Sequence, residues 1–207
     1  MGYTRAVHEF LPGIFTWPWF SKRHGYDFNG TLVLHEEGNL CIDPVEPEAA
    51  VLDRLAKEGV ARILLTNRNH VRAANAVRER TGATVAIHPA DASYARGQGA
   101  AIDSDLESGE RAGPFRIVGV PGKSPGEIAL HDPVRKLLVV GDAFVGNPPG
   151  RLSLLSERVM DDPPRLRASL RRLLVLEFDA VLVGDGVSIR EDGRDRLRDL
   201  VAGFGPE

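Results

Sequence analysis

The sequence predicts an α/β (α+β) fold, a four-layer αββα sandwich of two mixed β-sheets with outer helices. Three observations predict it. Residues 8–42 read almost wholly as strands, whereas beyond them helices and strands alternate. Strands in both halves run directly into polar turns, such as Thr66-Asn67-Arg68-Asn69 and Gly141-Asp142. No stretch has the composition of a linker, so residues 1–207 are expected to form a single domain.

The elements follow in order. A strand is expected from residue 8 to about 16, and the aromatic, basic segment 17–26 reads as a loop. Residues 28–35 and Asn39–Ile42 are apolar runs joined by Glu36-Glu37-Gly38, a hairpin signal. Over residues 47–58, Ala50, Val51, Leu55 and Ala56 recur at helical spacing, and Gly59 stops the helix. A strand over 61–66 precedes a helix over 73–80 that ends at Gly82. Thr84–Ile87 reads as a short strand and 90–97 as a short helix. The polar stretch 97–111 reads as loop or edge structure.

Residues 114–120 form the next expected strand, and 127–131 with 136–140 a hairpin around Asp132-Pro133. Pro163 or Pro164 opens a helix to about residue 177, since proline is tolerated in a first helical turn. Its Leu166, Leu170, Leu173 and Leu174 lie opposite Arg165, Arg167, Arg171 and Arg172, an amphipathic helix with a solvated basic face. A strand over 179–183 and a helix over 192–202 complete the chain.

Composition excludes several functions. The chain is 43% hydrophobic and 27% charged, as in ordinary globular proteins. A net charge of −3 argues against a nucleic-acid partner or an anionic membrane surface. Cys41 is the sole cysteine, so an internal disulfide and a cysteine metal site are both excluded; it is expected to be a buried strand thiol. Arg5, His8 and Glu9 stand where a secretory leader would be apolar, and Ala6 stands where myristoylation needs Ser or Thr. No apolar run approaches a membrane span, and the cytoplasm is the expected location.

The segment 63–72 carries the chemistry of interest. An apolar strand delivers two amides, two guanidiniums and an imidazole to a strand–helix turn, a common place for a site. Three further strands end similarly, at Pro121-Gly122-Lys123-Ser124-Pro125-Gly126, at Gly141-Asp142-Ala143 and at Gly184-Asp185-Gly186. The order and flanks of these four turns, with Ile42-Asp43-Pro44 and His88-Pro89 between strands, resemble the metallo-beta-lactamase superfamily. Its motifs are Thr-His-x-His-x-Asp-His, Pro-Gly-His-Thr-Pro-Gly, Gly-Asp-Ala and Gly-His-Gly. The resemblance covers residues 8–201 and implies the αββα sandwich with a site at one edge.

The resemblance also implies a two-metal site, and here the residues depart from it. The metal-ligand positions of the first motif hold Asn67, Asn69, Val71 and Arg72. The second motif's histidine is Lys123, and the last histidine is Asp185. Only the bridging Asp142 is kept, and His70 falls one residue off the pattern. Amide oxygens bind zinc weakly, valine not at all, and lysine or arginine repels a cation. As a set, Arg72 and Lys123 can neutralise Asp142 and Asp185, with Asn67 and Asn69 as hydrogen-bonding amides.

The leading expectation is therefore a metal-free pocket with no cofactor, binding an unidentified small molecule or a partner. A second reading is a hydrolase that keeps one zinc or iron ion on His70, Asp142 and Asp185. In a third, Trp17, Trp19 and Phe20 form a surface for self-association, since exposed tryptophans cover pockets or interfaces. In the superfamily the corresponding early loop often overhangs the pocket. Gly122-Lys123-Ser124 matches only the end of a phosphate-binding loop, because Ile117 stands where that motif needs glycine. Ser124 beside Lys123 reads as a brace of its turn rather than a nucleophile.

Overall fold

The computed structural model describes residues 7–205. Arg5 and Ala6, on which the leader and acylation expectations partly rest, lie outside them. Among the described residues, no helix is long and apolar enough to cross a membrane.

Two mixed sheets face one another. The first has seven strands in sequence order: β1 (His8–Leu11), β2 (Ile14–Ser21), β3 (Tyr26–Val33), β4 (Asn39–Ile42), β5 (Val60–Leu65), β6 (Thr84–Ile87) and β7 (Ser104–Asp105). It is antiparallel from β1 to β4 and parallel from β4 to β7. The second contains β8 (Arg111–Ala112), β9 (Phe115–Gly119), β10 (Ile128–Asp132), β11 (Leu137–Val140) and β12 (Ala180–Val183), in the order β12-β11-β10-β9-β8. Only its β11–β12 pair is parallel. The polar stretch after residue 97 supplies an edge strand to each sheet and carries the chain between them.

The two-residue period of the strands builds the layers. In β5, Leu64 joins the core between the sheets, while Ile63 and Leu65 face α1 (Ala49–Glu58), α2 (Ala74–Thr81) and α3 (Pro89–Gly97). In β11, Leu137 and Val139 enter the inter-sheet core, and Leu138 and Val140 face α4 (Pro163–Leu173) and α5 (Gly193–Ala202). β11 and the Ile63–Leu65 end of β5 are apolar on every residue because both of their faces are covered. Cys41 is one of these buried strand residues.

Gly59 and Gly82 close α1 and α2 in the left-handed conformation, at φ 76° in each case. The helix opened by Pro163 stops at Leu173 instead of about residue 177. Arg194 Nε and Nη2 donate to Leu174 O at 3.1 and 2.7 Å, which satisfies a carbonyl just past the helix end.

One expectation is corrected. Segment 17–26 is not a loop, because residues up to Ser21 continue β2 and Tyr26 begins β3. Pro18 reads as a breaker, yet among the described residues β1 pairs only with residues 14–16, so no described strand asks Pro18 for an N–H on that side, where proline is tolerated. Trp17 is 1% exposed, packs in the core beneath the helices and donates from Nε1 to Val45 O at 3.2 Å. It therefore belongs neither to a pocket nor to a self-association surface. Trp19 and Phe20 remain exposed, at 37% and 42%.

Candidate functional site

The C-terminal ends of β4, β5, β11 and β12 meet at one edge of the sandwich, together with the β9–β10 turn. Parallel strands end on the same side, so the polar turns after β5, β11 and β12 converge there, and the turn of the antiparallel β9–β10 pair meets them. Backbone bonds tie the sheets together at this edge: Ile128 N donates to Thr66 O at 2.9 Å, and Asn29 N to Gly184 O at 2.7 Å.

His70 sits at the centre and is fully buried. Its Nδ1 is 2.8 Å from Asp43 Oδ2, and its Nε2 is 3.1 Å from Asp142 Oδ1. Asp43 is held in turn by Thr66, whose N and Oγ1 donate to its two oxygens at 2.8 and 2.5 Å. The Lys123 ammonium bridges Asp142 Oδ2 at 3.1 Å and Asn69 Oδ1 at 2.8 Å. Arg72 Nη2 reaches Asp185 Oδ1 at 3.0 Å, and its guanidinium stacks 4.1 Å from the centre of the Phe28 ring. Asn67 is fully buried; its Oδ1 accepts from Asn69 N at 2.8 Å and its Nδ2 donates to Glu127 Oε1 at 3.2 Å. All seven polar residues predicted for the site are thus brought together, and Trp17 is not.

Electrostatics follow from this packing. Burial and Arg72 push the His70 imidazole towards neutrality, but Asp43 and Asp142 outweigh them and lift its pKa from 6.5 to about 10. Burial also disfavours ionised Asp142, yet His70, Lys123 and Arg72 hold it below the usual carboxylate range. Burial raises Asp185, with Arg72 opposing. Burial first, then Asp142, lift Glu127 from 4.5 to about 8. Three cations (His70, Lys123, Arg72) thus face three carboxylates (Asp43, Asp142, Asp185), while burial favours the protonated form of Glu127. Isolated charges in such a place would be costly, and pairing offsets that cost.

Sequence reasoning missed Asp43, Glu127 and Asp91 as members of the network. Asp91 is buried and accepts from Arg68 N at 2.9 Å, Gly126 N at 2.9 Å and Ser124 Oγ at 2.5 Å. Ser124 is therefore a brace of the Lys123 turn, as read. The available signal was a carboxylate beside an apolar strand: Asp43 follows Ile42, and Glu127 precedes Ile128. Glu127 Oε2 and Arg72 Nη1 are buried with no hydrogen-bond partner among the described residues. The Tyr26 ring stands at the mouth, where burial and then Asp185 and Asp142 raise its pKa.

Comparison with known proteins bears on the same residues. The sequence profile of the metallo-beta-lactamase superfamily matches residues 6–204. Two relatives from Cereibacter sphaeroides, both named hydroxyacylglutathione hydrolase, are 34% and 33% identical over 134 residues, or 60% of this chain and 51% of theirs. The chain thus spans about half the length of the curated relatives it matches. The structure of TTHA1623 in a di-iron-bound form is similar at a TM-score of 0.67 and 29% identity, over 92% of this chain and 98% of that one. A metallo-beta-lactamase from Pontibacter korlensis matches at a TM-score of 0.78 and 16% identity, over 96% and 99%, which shows likeness of fold alone.

Proposed function

The chain belongs to the metallo-beta-lactamase superfamily, and on that premise we propose that it is a metal-free member that binds a small molecule instead of hydrolysing one with metal-bound water. One observation carries the reading: the Lys123 ammonium lies between Asn69 Oδ1 and Asp142 Oδ2, at 2.8 and 3.1 Å. A cation already neutralises the carboxylate that the superfamily offers to its metals. Arg72 does the same for Asp185.

The donor set does not fit a metal pair. Val71 supplies no ligand atom, and Arg72 and Lys123 add positive charge at two more ligand positions. Both nitrogens of His70 face carboxylates. The orphan donor Arg72 Nη1 suits a ligand with an oxygen acceptor. Metal analysis of protein purified without chelator tests the reading. Zinc and iron are expected far below one ion per chain, and stoichiometric metal retained through purification overturns it.

A second reading has its own observation. His70, Asp142 and Asp185 bring one ligand atom each within 4.8 Å of one another. A hydrolase with a single metal there, of the kind named for the Cereibacter sphaeroides relatives, would show metal-dependent thioester hydrolysis lost in His70→Ala. The first reading expects no such activity with zinc or iron added.

A further inference from the structure

A cavity lies on the opposite face of the β2–β3 hairpin from the charge network. Phe20 and Asp27 are direct cross-strand partners, as are Trp19 and Phe28. Side chains alternate along a strand, so Phe20 and Asp27 share one face while Trp19 and Phe28 share the other. Arg72 stacks on Phe28, which places the Lys123–Asp142 network on the Trp19 side. On the Phe20 side, the hairpin and the loops after β11 and β12 enclose about 470 Å³. That volume suits a small organic molecule.

The lining has a definite chemistry. Pro18, Phe20, Pro149 and Val187 supply apolar walls, with the Phe20 ring as the aromatic face. Asp27 is the one ionisable carboxylate among the lining residues, and no lining residue is basic. Its side chain has no hydrogen-bond or ion-pair partner among the described residues. The floor is set by backbone: Gly186 N donates to Asp27 O at 2.7 Å, and Val187 N donates to Gly146 O at 2.8 Å. Gly146 and Gly186 leave no room for larger residues, since a Cβ on Gly146 would stand 2.0 Å from Val187 O and one on Gly186 2.5 Å from Gly146 O. The cavity therefore combines closely packed backbone, an aromatic face and one unpaired carboxylate.

We propose that this cavity is a binding site for a small organic ammonium ion, whose charged end pairs with Asp27 and whose apolar body lies against Phe20 and Pro18. An ammonium gains both from the carboxylate and from an aromatic face. An anionic ligand of the same shape meets the Asp27 charge with no cation in the lining to offset it.

The test uses 2-phenylethylammonium as probe and 3-phenylpropionate as its anionic counterpart, each titrated to low-millimolar concentration against the full chain. Amide shifts are followed by two-dimensional NMR. The ammonium is expected to saturate, with shifts centred on Gly146, Gly186 and Val187. Asp27→Asn is expected to weaken it about tenfold or more, the loss of roughly one charge-assisted contact. Phe20→Ala, at a side chain already exposed, is expected to weaken it without unfolding the protein. The proposal is overturned if the ammonium does not saturate, if phenylpropionate binds equally well, or if Asp27→Asn leaves affinity unchanged. Shifts centred on Asn69 and Arg72 overturn the placement as well.

Discussion

Lys123 Nζ lies 3.1 Å from Asp142 Oδ2, with both side chains 7% exposed. Each charge alone would be costly at that depth, so each depends on the other. Lys123→Met leaves Asp142 with one fewer cation and is expected to lower stability by about 3–5 kcal/mol, the usual result of breaking a buried pair. Adding Asp142→Asn to that variant is expected to recover part of the loss. Urea denaturation of the single and double variants checks both. A Lys123→Met loss near zero would mean that the ammonium does not neutralise Asp142.

The same network sets a pH dependence. His70 keeps its proton in the folded chain up to about 10, against 6.5 unfolded. Its stabilisation is complete below 6.5 and is lost as pH rises towards 10. Glu127 is raised from 4.5 to about 8, so it too favours the folded state at low pH, and its contribution fades as pH climbs to 8. Asp142 is depressed, so its contribution is present above 3.8 and lost as pH falls. Melting temperature is therefore expected to decline through the alkaline range, steepest between 6.5 and 8, where both terms act. Glu127→Gln is expected to flatten the lower part of that decline and His70→Gln the upper part. A flat profile in the parent protein refutes this.

The glycines before Asp142 and Asp185 are steric requirements. A Cβ on Gly141 would stand 2.1 Å from Thr66 Oγ1 and 2.8 Å from Asn67 Nδ2. On Gly184 it would stand 2.8 Å from His70 Cε1. Gly141→Ala is expected to cost about 3 kcal/mol and Gly184→Ala somewhat less, as overpacking of a filled core does. Chemical denaturation ranks them, and the reverse order would show that His70 yields less readily than Thr66.

Asp91 holds the Lys123 turn by accepting from Arg68 N, Gly126 N and Ser124 Oγ. Asp91→Ala leaves these three donors without their acceptor, at an expected cost of about 3 kcal/mol. Ser124→Ala removes one bond and is expected to cost about 1 kcal/mol. A Ser124→Ala variant more damaging than Asp91→Ala would give that hydroxyl a role beyond bracing.

Much of this was legible in the sequence. The continuous apolar runs at Ile63-Leu64-Leu65 and Leu137-Leu138-Val139-Val140 mark strands covered on both faces, and so a layered sandwich. Polar turns after such strands convey where a site lies, because parallel strands end together. Asn67, Asn69, Arg72, Lys123, Asp142 and Asp185 could thus be grouped before any coordinates, as positions that depart from the superfamily's histidine ligands around the kept Asp142.

Only the tertiary structure decided who pairs with whom. Asp43 and Glu127 read as ordinary strand-end carboxylates, since their partners lie far away in the chain: Asn67 is 60 residues from Glu127. Trp17 and Phe20 look equivalent in sequence, yet strand register buries one beneath the helices and exposes the other beside Asp27. Local pattern conveys which residues form a strand. Pairing register and sheet contact determine which face each side chain takes, and that information is non-local. In segment 63–72, the sequence by itself determined the turn and its departure from the superfamily's ligand pattern. The fold decided that His70, one residue off the superfamily pattern, stands at the centre of the network between Asp43 and Asp142.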